Sequence, residues 1–162
     1  MAIEPKKPKI KDLVDELKTI YEGLDTVKAR GHWVFSIRDL EAIAGVDPGK
    51  PLVGVLFDSG AGQENTRNQV QGVQSQGSSS LIDMMFVVIV GIPYTYGVSG
   101  DTIVDVTDVL DEGREAVLGY TETNSRGWRY SGESQIVAEL EGMVFYGQVW
   151  LTSVINQGKF KK

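Results

Sequence analysis

Cysteine is absent from the 162 residues, and histidine occurs once, as His32. Without thiols there is no disulfide, no thiolate metal site and no cysteine nucleophile. A single imidazole flanked by Gly31 and Trp33 has no second nitrogen ligand and no neighbouring Ser or Cys to activate. Long apolar runs are lacking as well. The longest, Met84 to Val90, has seven residues, against the roughly 20 that span a bilayer. The early lysines are not followed by an apolar core, so no signal peptide is expected, and synthesis in a reducing cytoplasm is the default.

Phosphate-binding and nucleophile motifs fail on inspection. Gly60-Ala61-Gly62 follows an apolar strand pattern but lacks the third glycine of a dinucleotide loop, and a polar stretch follows it instead of a helix. No lysine stands behind the glycines of a phosphate loop. Ser99, between Val98 and Gly100, lacks the glycine spacing of a nucleophile elbow and suits a turn or helix cap.

What is present is a body of strongly acidic character between two basic ends. The chain carries 16 Lys and Arg against 22 Asp and Glu. Residues 1–11 hold four lysines and one Glu, and the last four residues hold three lysines, which leaves nine basic and 21 acidic residues, about −12, in between. Such a body repels a phosphate backbone, so sequence-independent DNA binding by the folded part is not expected. The pattern predicts a flexible basic Pro/Lys arm over 1–9, one domain over 10–156 and a basic tail over 157–162.

Ile10, Leu13, Val14, Leu17, Ile20, Tyr21 and Leu24 recur at helical spacing, with Lys11, Asp12, Asp15, Glu16 and Lys18 on the other face. Val27 to Phe35 reads as a strand, and Ile37, Leu40 and Ile43 as a helical turn before a Gly/Pro turn at 45–49. Leu52 to Phe57 is expected as a buried strand. Ser59 to Ser80, rich in Gly and Gln, reads as a long polar loop of the kind that is functional or disordered. Leu81 to Ile92 follows as a central strand. A helix runs from about Asp101 to Leu118, with Ile103, Val106, Leu110 and Val117 inward and Asp101, Asp105, Asp108, Glu112 and Glu115 as a solvated acidic face. Trp128 to Tyr130, a turn at Ser131–Ser134, and the run from Ile136 to Ile155 read as a closing hairpin, with Gly142 and Gly147 marking a bend. The fold class is α/β in the α+β sense: a mixed or antiparallel central sheet flanked by helices, with a long polar loop projecting from it.

This order resembles the phage tail terminator, or tail-completion, family. The resemblance runs over about residues 10–155 and rests on the opening amphipathic helix, the strand PLVGVLFDSG entering a polar excursion, the strand closing in IVGIPYTYGVSGD, the helix ending near VLGY, the W-R-Y strand, and VFYGQVWLTSV. It implies a structural virion protein: a homo-hexameric ring that caps the tail tube, ends its polymerisation and offers a surface to head-completion proteins, with sheath as a further partner. It carries no catalytic residue, cofactor, metal or membrane contact, and implies that DNA passes through without specific binding. By the same resemblance the long loop reaches neighbouring subunits or the tube, so Gln63, Glu64, Asn65, Arg67, Gln69, Gln71 and Gln74 are expected contact residues. For Trp128-Arg129-Tyr130, near Arg126, core and hairpin packing is the first reading and subunit contact the second, and on that second reading Arg126, Trp128 and Arg129 join the contact residues. Three rival readings stay open. One is another neck component. A second is a ligand-binding or hydrolytic domain using Asp58, His32 and the 59–69 loop. The third is a nucleic-acid binder using Arg126, Arg129 and the lysine ends.

Overall fold

The structure, a computed structural model, describes residues 8–45, 50–62, 79–93, 101–123, 125–136 and 142–157. Helices α1 (Ile10–Glu22) and α2 (Asp25–Arg30) open the fold, followed by strand β1 (Trp33–Ser36) and a 3-10 turn at Leu40–Gly45. Then come β2 (Leu52–Gly62), β3 (Ser79–Pro93), α3 (Asp101–Leu118), β4 (Trp128–Ile136) and β5 (Met143–Gln157). The five strands form one mixed sheet in the order β1-β2-β3-β5-β4, with β1 parallel to β2 and the other pairs antiparallel. The α+β class expected from the sequence is the one observed.

The α1 stripe behaves as its spacing requires: Leu13, Leu17 and Tyr21 are fully buried. The backbone N–H of Lys9 donates to Asp12 Oδ2 at 2.9 Å, which fixes the first turn. Along α3, Val106, Val109, Leu110 and Val117 are buried. Both helices lie on one face of the sheet, against Val53 and Val55 of β2, Phe86, Val88 and Val90 of β3, and Trp150 and Val154 of β5. Each such side chain contributes about 1.5–3 kcal/mol by leaving water, and this layer is the main core. β3 is the third of five strands and is apolar toward both sides, as its sequence suggested.

Three expectations need correction. Val27–Phe35 is not one strand: Gly31, at φ +66°, closes α2 in the left-handed conformation, and β1 begins only at Trp33. Ser131–Ser134 is not a turn. β4 runs through it with a register shift between Tyr130 and Gly132, which absorbs the turn-like residues as a bulge. The reversal therefore falls after Ile136, and β5 begins at Met143, just past Gly142 at φ +85°. The ends of the expected polar loop are strand instead, since β2 continues to Gly62 and β3 starts at Ser79.

The sheet face away from the helices carries a smaller core. Ile37 and Ile43, from the connection between β1 and β2, pack there with Leu52, Leu56, Ile89, Met143 and Phe145. Close approach is built in at Gly91, where a Cβ would stand 2.6 Å from the Phe145 ring, and at Gly147, 2.5 Å from Ile136.

Candidate assembly surface

The register shows where the second core stops. On the face away from the helices, Leu56 pairs with Val87 and Val87 with Val149; Ser59 pairs with Met85 and Met85 with Leu151. Val87, Met85, Val149 and Leu151 are only half-buried, although they occupy the two central strands. Among the described residues the 3-10 turn covers the near half of this face and none covers the far half. At its far end Arg129 of β4 reaches across β5. One guanidinium nitrogen lies 2.9 Å from Asp83 Oδ1 on β3 and 3.0 Å from Ser153 Oγ on β5, and that hydroxyl donates to the same Asp83 oxygen. The open patch is thus apolar in the middle and closed at one end by a compensated charge pair.

The two sheet edges differ. At β4 the bulge and the charged side chains Arg129 and Glu133 interrupt the edge, features that discourage further pairing. β1 has neither. Trp33 N–H donates to Pro51 O at 2.9 Å and Ile37 N–H to Val55 O at 2.9 Å, so by alternation the peptide groups of Val34 and Ser36 point away from β2. Trp33 is 52% exposed and stacks on Phe35 with centroids 4.2 Å apart.

A buried polar network fixes β4 and β5 against the helices. Tyr21 O–H donates to Gln148 Oε1, and Trp150 Nε1–H donates to the Tyr21 oxygen at 3.3 Å. Gln148 Nε2 donates to Leu110 O at 2.7 Å and to Glu133 Oε2 at 2.9 Å. Arg114 completes it, 2.5 Å from Glu133 Oε1, 3.0 Å from Asp111 and 5.1 Å above the Tyr130 ring. Burial pushes the Tyr21 hydroxyl well above its usual pKa, the Trp150 hydrogen bond opposing only in part.

Of the expected contact residues, Gln63, Glu64, Asn65, Arg67, Gln69, Gln71 and Gln74 lie outside the described residues. Arg126 is exposed, its backbone N–H donating to Ser153 O at 3.1 Å. Arg129 is exposed and bridges three strands as above. The Trp128 ring is buried in the main core. It is 6% exposed, packs edge-on against Phe86 at 5.3 Å and donates from Nε1 to Glu16 Oε1 at 2.7 Å, pinning α1 to β4. Glu112, expected on a solvated acidic face, instead accepts hydrogen bonds from the first amides of α2.

Among the described residues, His32 and Asp58, two groups that a small-ligand site would use, stand apart. Trp33 pairs with Leu52, so His32 sits at one end of β2 while Asp58 is six residues further along it, about 20 Å at the usual strand rise. His32 borders a shallow recess of about 340 Å³ with Val27, Lys28 and Trp33. Among the described residues no three His, Cys, Asp or Glu side chains are grouped to hold a metal ion, and no helix is long and apolar enough to cross a membrane.

Sequence reasoning missed the exposed Trp33 edge and the half-open apolar face. The alternation Trp33-Val34-Phe35 was a usable signal for the first. Gln148, a polar residue inside the run VFYGQVWL, was one for the buried network.

The arrangement is that of an α+β domain, three helices on one face of a five-stranded mixed sheet whose other face is half covered. No family model matches the chain, and no curated protein sequence does. Among solved structures it is similar to a chain from the virion of a native gene transfer agent (GTA) particle, at 12% identity and a TM-score of 0.50, over 89% of this chain and 95% of that one. At that identity the likeness is one of fold. A crystal structure from Akkermansia muciniphila overlaps it at 13% identity and a TM-score of 0.30, covering 99% of this chain and 84% of that one.

Proposed function

We propose that this chain is a structural subunit of a tailed-phage-like particle, and that it acts as a tail terminator. In this reading six copies close a ring on the finished tail tube, stop its polymerisation and offer a surface to the head-completion proteins. The single observation that carries the virion reading is the similarity in fold to a virion chain over nearly the full length of both. The terminator role rests on the order of elements in the sequence, from the amphipathic helix to the aromatic closing strands. The segment 63–78 and the open sheet face around Met85 and Leu151 would supply contacts between subunits or to the tube. Such a ring joins two different faces of the subunit, so an asymmetric distribution of apolar surface suits it. An acidic body suits a channel that DNA crosses without sticking.

Light scattering of the purified protein at two concentrations, alone and with tail tubes, tests this. The expected result is a species near six times 17.7 kDa, free or on tubes, that binds tube ends and halts their elongation. Binding to the portal side instead would make it a different neck component. A monomer that ignores both would overturn the assembly reading.

A further inference from the structure

Helix α2 has six residues, too few to be stable alone, and its N-cap residue, Leu24, has no side-chain oxygen for the leading amides. The acceptor comes from another helix. Glu112 of α3 takes the Asp25 N–H on Oε1 at 2.5 Å and the Thr26 N–H on Oε2 at 3.0 Å. One carboxylate therefore satisfies both leading amides of a helix far upstream in the chain, and it sits at the positive end of that helix. Leu24 and Val27, 4% and 3% exposed, seat the segment in the main core, while Asp25, Lys28, Ala29 and Arg30 lie at the surface.

We propose that Glu112 is a clasp whose release opens the 24–32 segment by itself, leaving α1, α3 and the sheet in place. Opening would dismantle the wall of the recess formed by Val27, Lys28 and Gly31, beside the already exposed Trp33.

The charged groups around the clasp are the Lys28 ammonium from α2 and, one helical turn away along α3, Asp108 and Glu115. Burial raises the Glu112 pKa, but hydrogen bonds from Thr26 and Asp25 and the Lys28 charge outweigh it, so the carboxyl titrates below its usual 4.5. A depressed folded-state pKa contributes stability above the unfolded value and loses it as pH falls through the folded one. The clasp is therefore closed at neutral pH and opens in acid.

Hydrogen exchange of the full chain, read by mass spectrometry at pH 7, tests this on wild type, Glu112→Gln and Glu112→Ala. The expected result in Glu112→Ala is exchange of the 25–32 amides roughly ten- to a hundredfold faster, the range set by losing hydrogen bonds to a charged acceptor. β3 and β5 should stay protected. Glu112→Gln, which keeps one acceptor oxygen, should fall between the two. Wild type below pH 4, corrected for intrinsic rates, should reproduce the same local pattern. Unchanged protection of 25–32 in Glu112→Ala would overturn the proposal. So would loss of protection across β3 and β5 in both variants, because α2 would then belong to the cooperative core.

Discussion

The ring of Tyr21 on α1 packs so closely over Gly113 on α3 that a Cβ at position 113 would stand 2.7 Å from the ring carbon Cε1 and 2.9 Å from its oxygen. That contact sets the approach of the two helices. A mid-helix glycine costs about 1 kcal/mol against alanine, and here the cost is offset by the ring that fills the gap. Tyr21 is pinned at its other end by Gln148 and Trp150, so it cannot swing aside.

Gly113→Ala should therefore destabilise the fold by about 1–3 kcal/mol through overpacking, despite the better helix propensity of alanine. Urea unfolding followed by circular dichroism measures it. A more stable variant would mean that the ring has room to move and that the contact does not fix the helices.

The Tyr21 hydroxyl gives a pH prediction. Its folded-state pKa is raised above the usual 10 by burial. A group raised in this way lends stability that is complete below its unfolded pKa and lost as pH climbs beyond it. Stability should fall above pH 10, and absorbance at 295 nm should show one tyrosine that ionises only with unfolding. Tyr21→Phe should remove that feature while costing about 1–3 kcal/mol at neutral pH, because Gln148 Oε1 and the Trp150 N–H lose their partner. A tyrosine titration that finishes before unfolding begins would refute the assignment.

Much of this fold was legible because periodicity survives folding. The α1 stripe through Leu13, Leu17 and Tyr21, the α3 stripe through Val106 and Val117, and the central position of β3 follow from spacing and length alone. The failures have physical causes. Ser131-Gly132-Glu133-Ser134 has the composition of a turn, yet pairing with β5 holds it extended and leaves a bulge. Asp25 to Arg30 is too short for periodicity to reveal, and its acceptor, Glu112, lies 86 residues from Thr26. At the candidate surface, Arg129 was legible as an exposed cation but its partners Asp83 and Ser153 were not, since strand register decides which side chains meet. Trp128 lies in the core, the first of the two roles that its sequence allowed.

Gly142 stands at φ +85° immediately before β5, and a methyl group added there would meet nothing within 4 Å. Space is not the constraint; backbone conformation is. Gly142→Ala should cost about 1 kcal/mol, since a side chain is strained in the left-handed region. Gly45, whose φ is not in that region and which also has open space around it, is the matched control. Its alanine variant should be neutral or slightly stabilising, as reduced freedom in the unfolded chain favours folding. Equal effects at the two positions, read as shifts in the urea midpoint, would remove the argument from φ.

The open sheet face separates folding from assembly. Leu151 is half-buried there between Met85 and Arg129, its register partners on either side. Replacing it with Gln should cost at most about 1–2 kcal/mol, because only part of its surface leaves water on folding. Trp33→Ser, at a half-exposed position that loses its stacking on Phe35, should cost about 0.5–1.5 kcal/mol. If subunits meet through the open face, Leu151→Gln should give a folded protein whose native mass drops to 17.7 kDa, while Trp33→Ser keeps the assembled mass. The reverse outcome would move the contact to the β1 edge, where strand addition is the available chemistry. Arg129→Ala refines the result. Its ion pair with Asp83 is partly exposed, with side chains 53% and 28% accessible, and pairs of that kind are worth about 0–1 kcal/mol. A large loss of assembled mass in Arg129→Ala with little loss of stability would place the guanidinium in contact with the neighbouring subunit, whereas unchanged mass would confine it to bridging β3, β4 and β5.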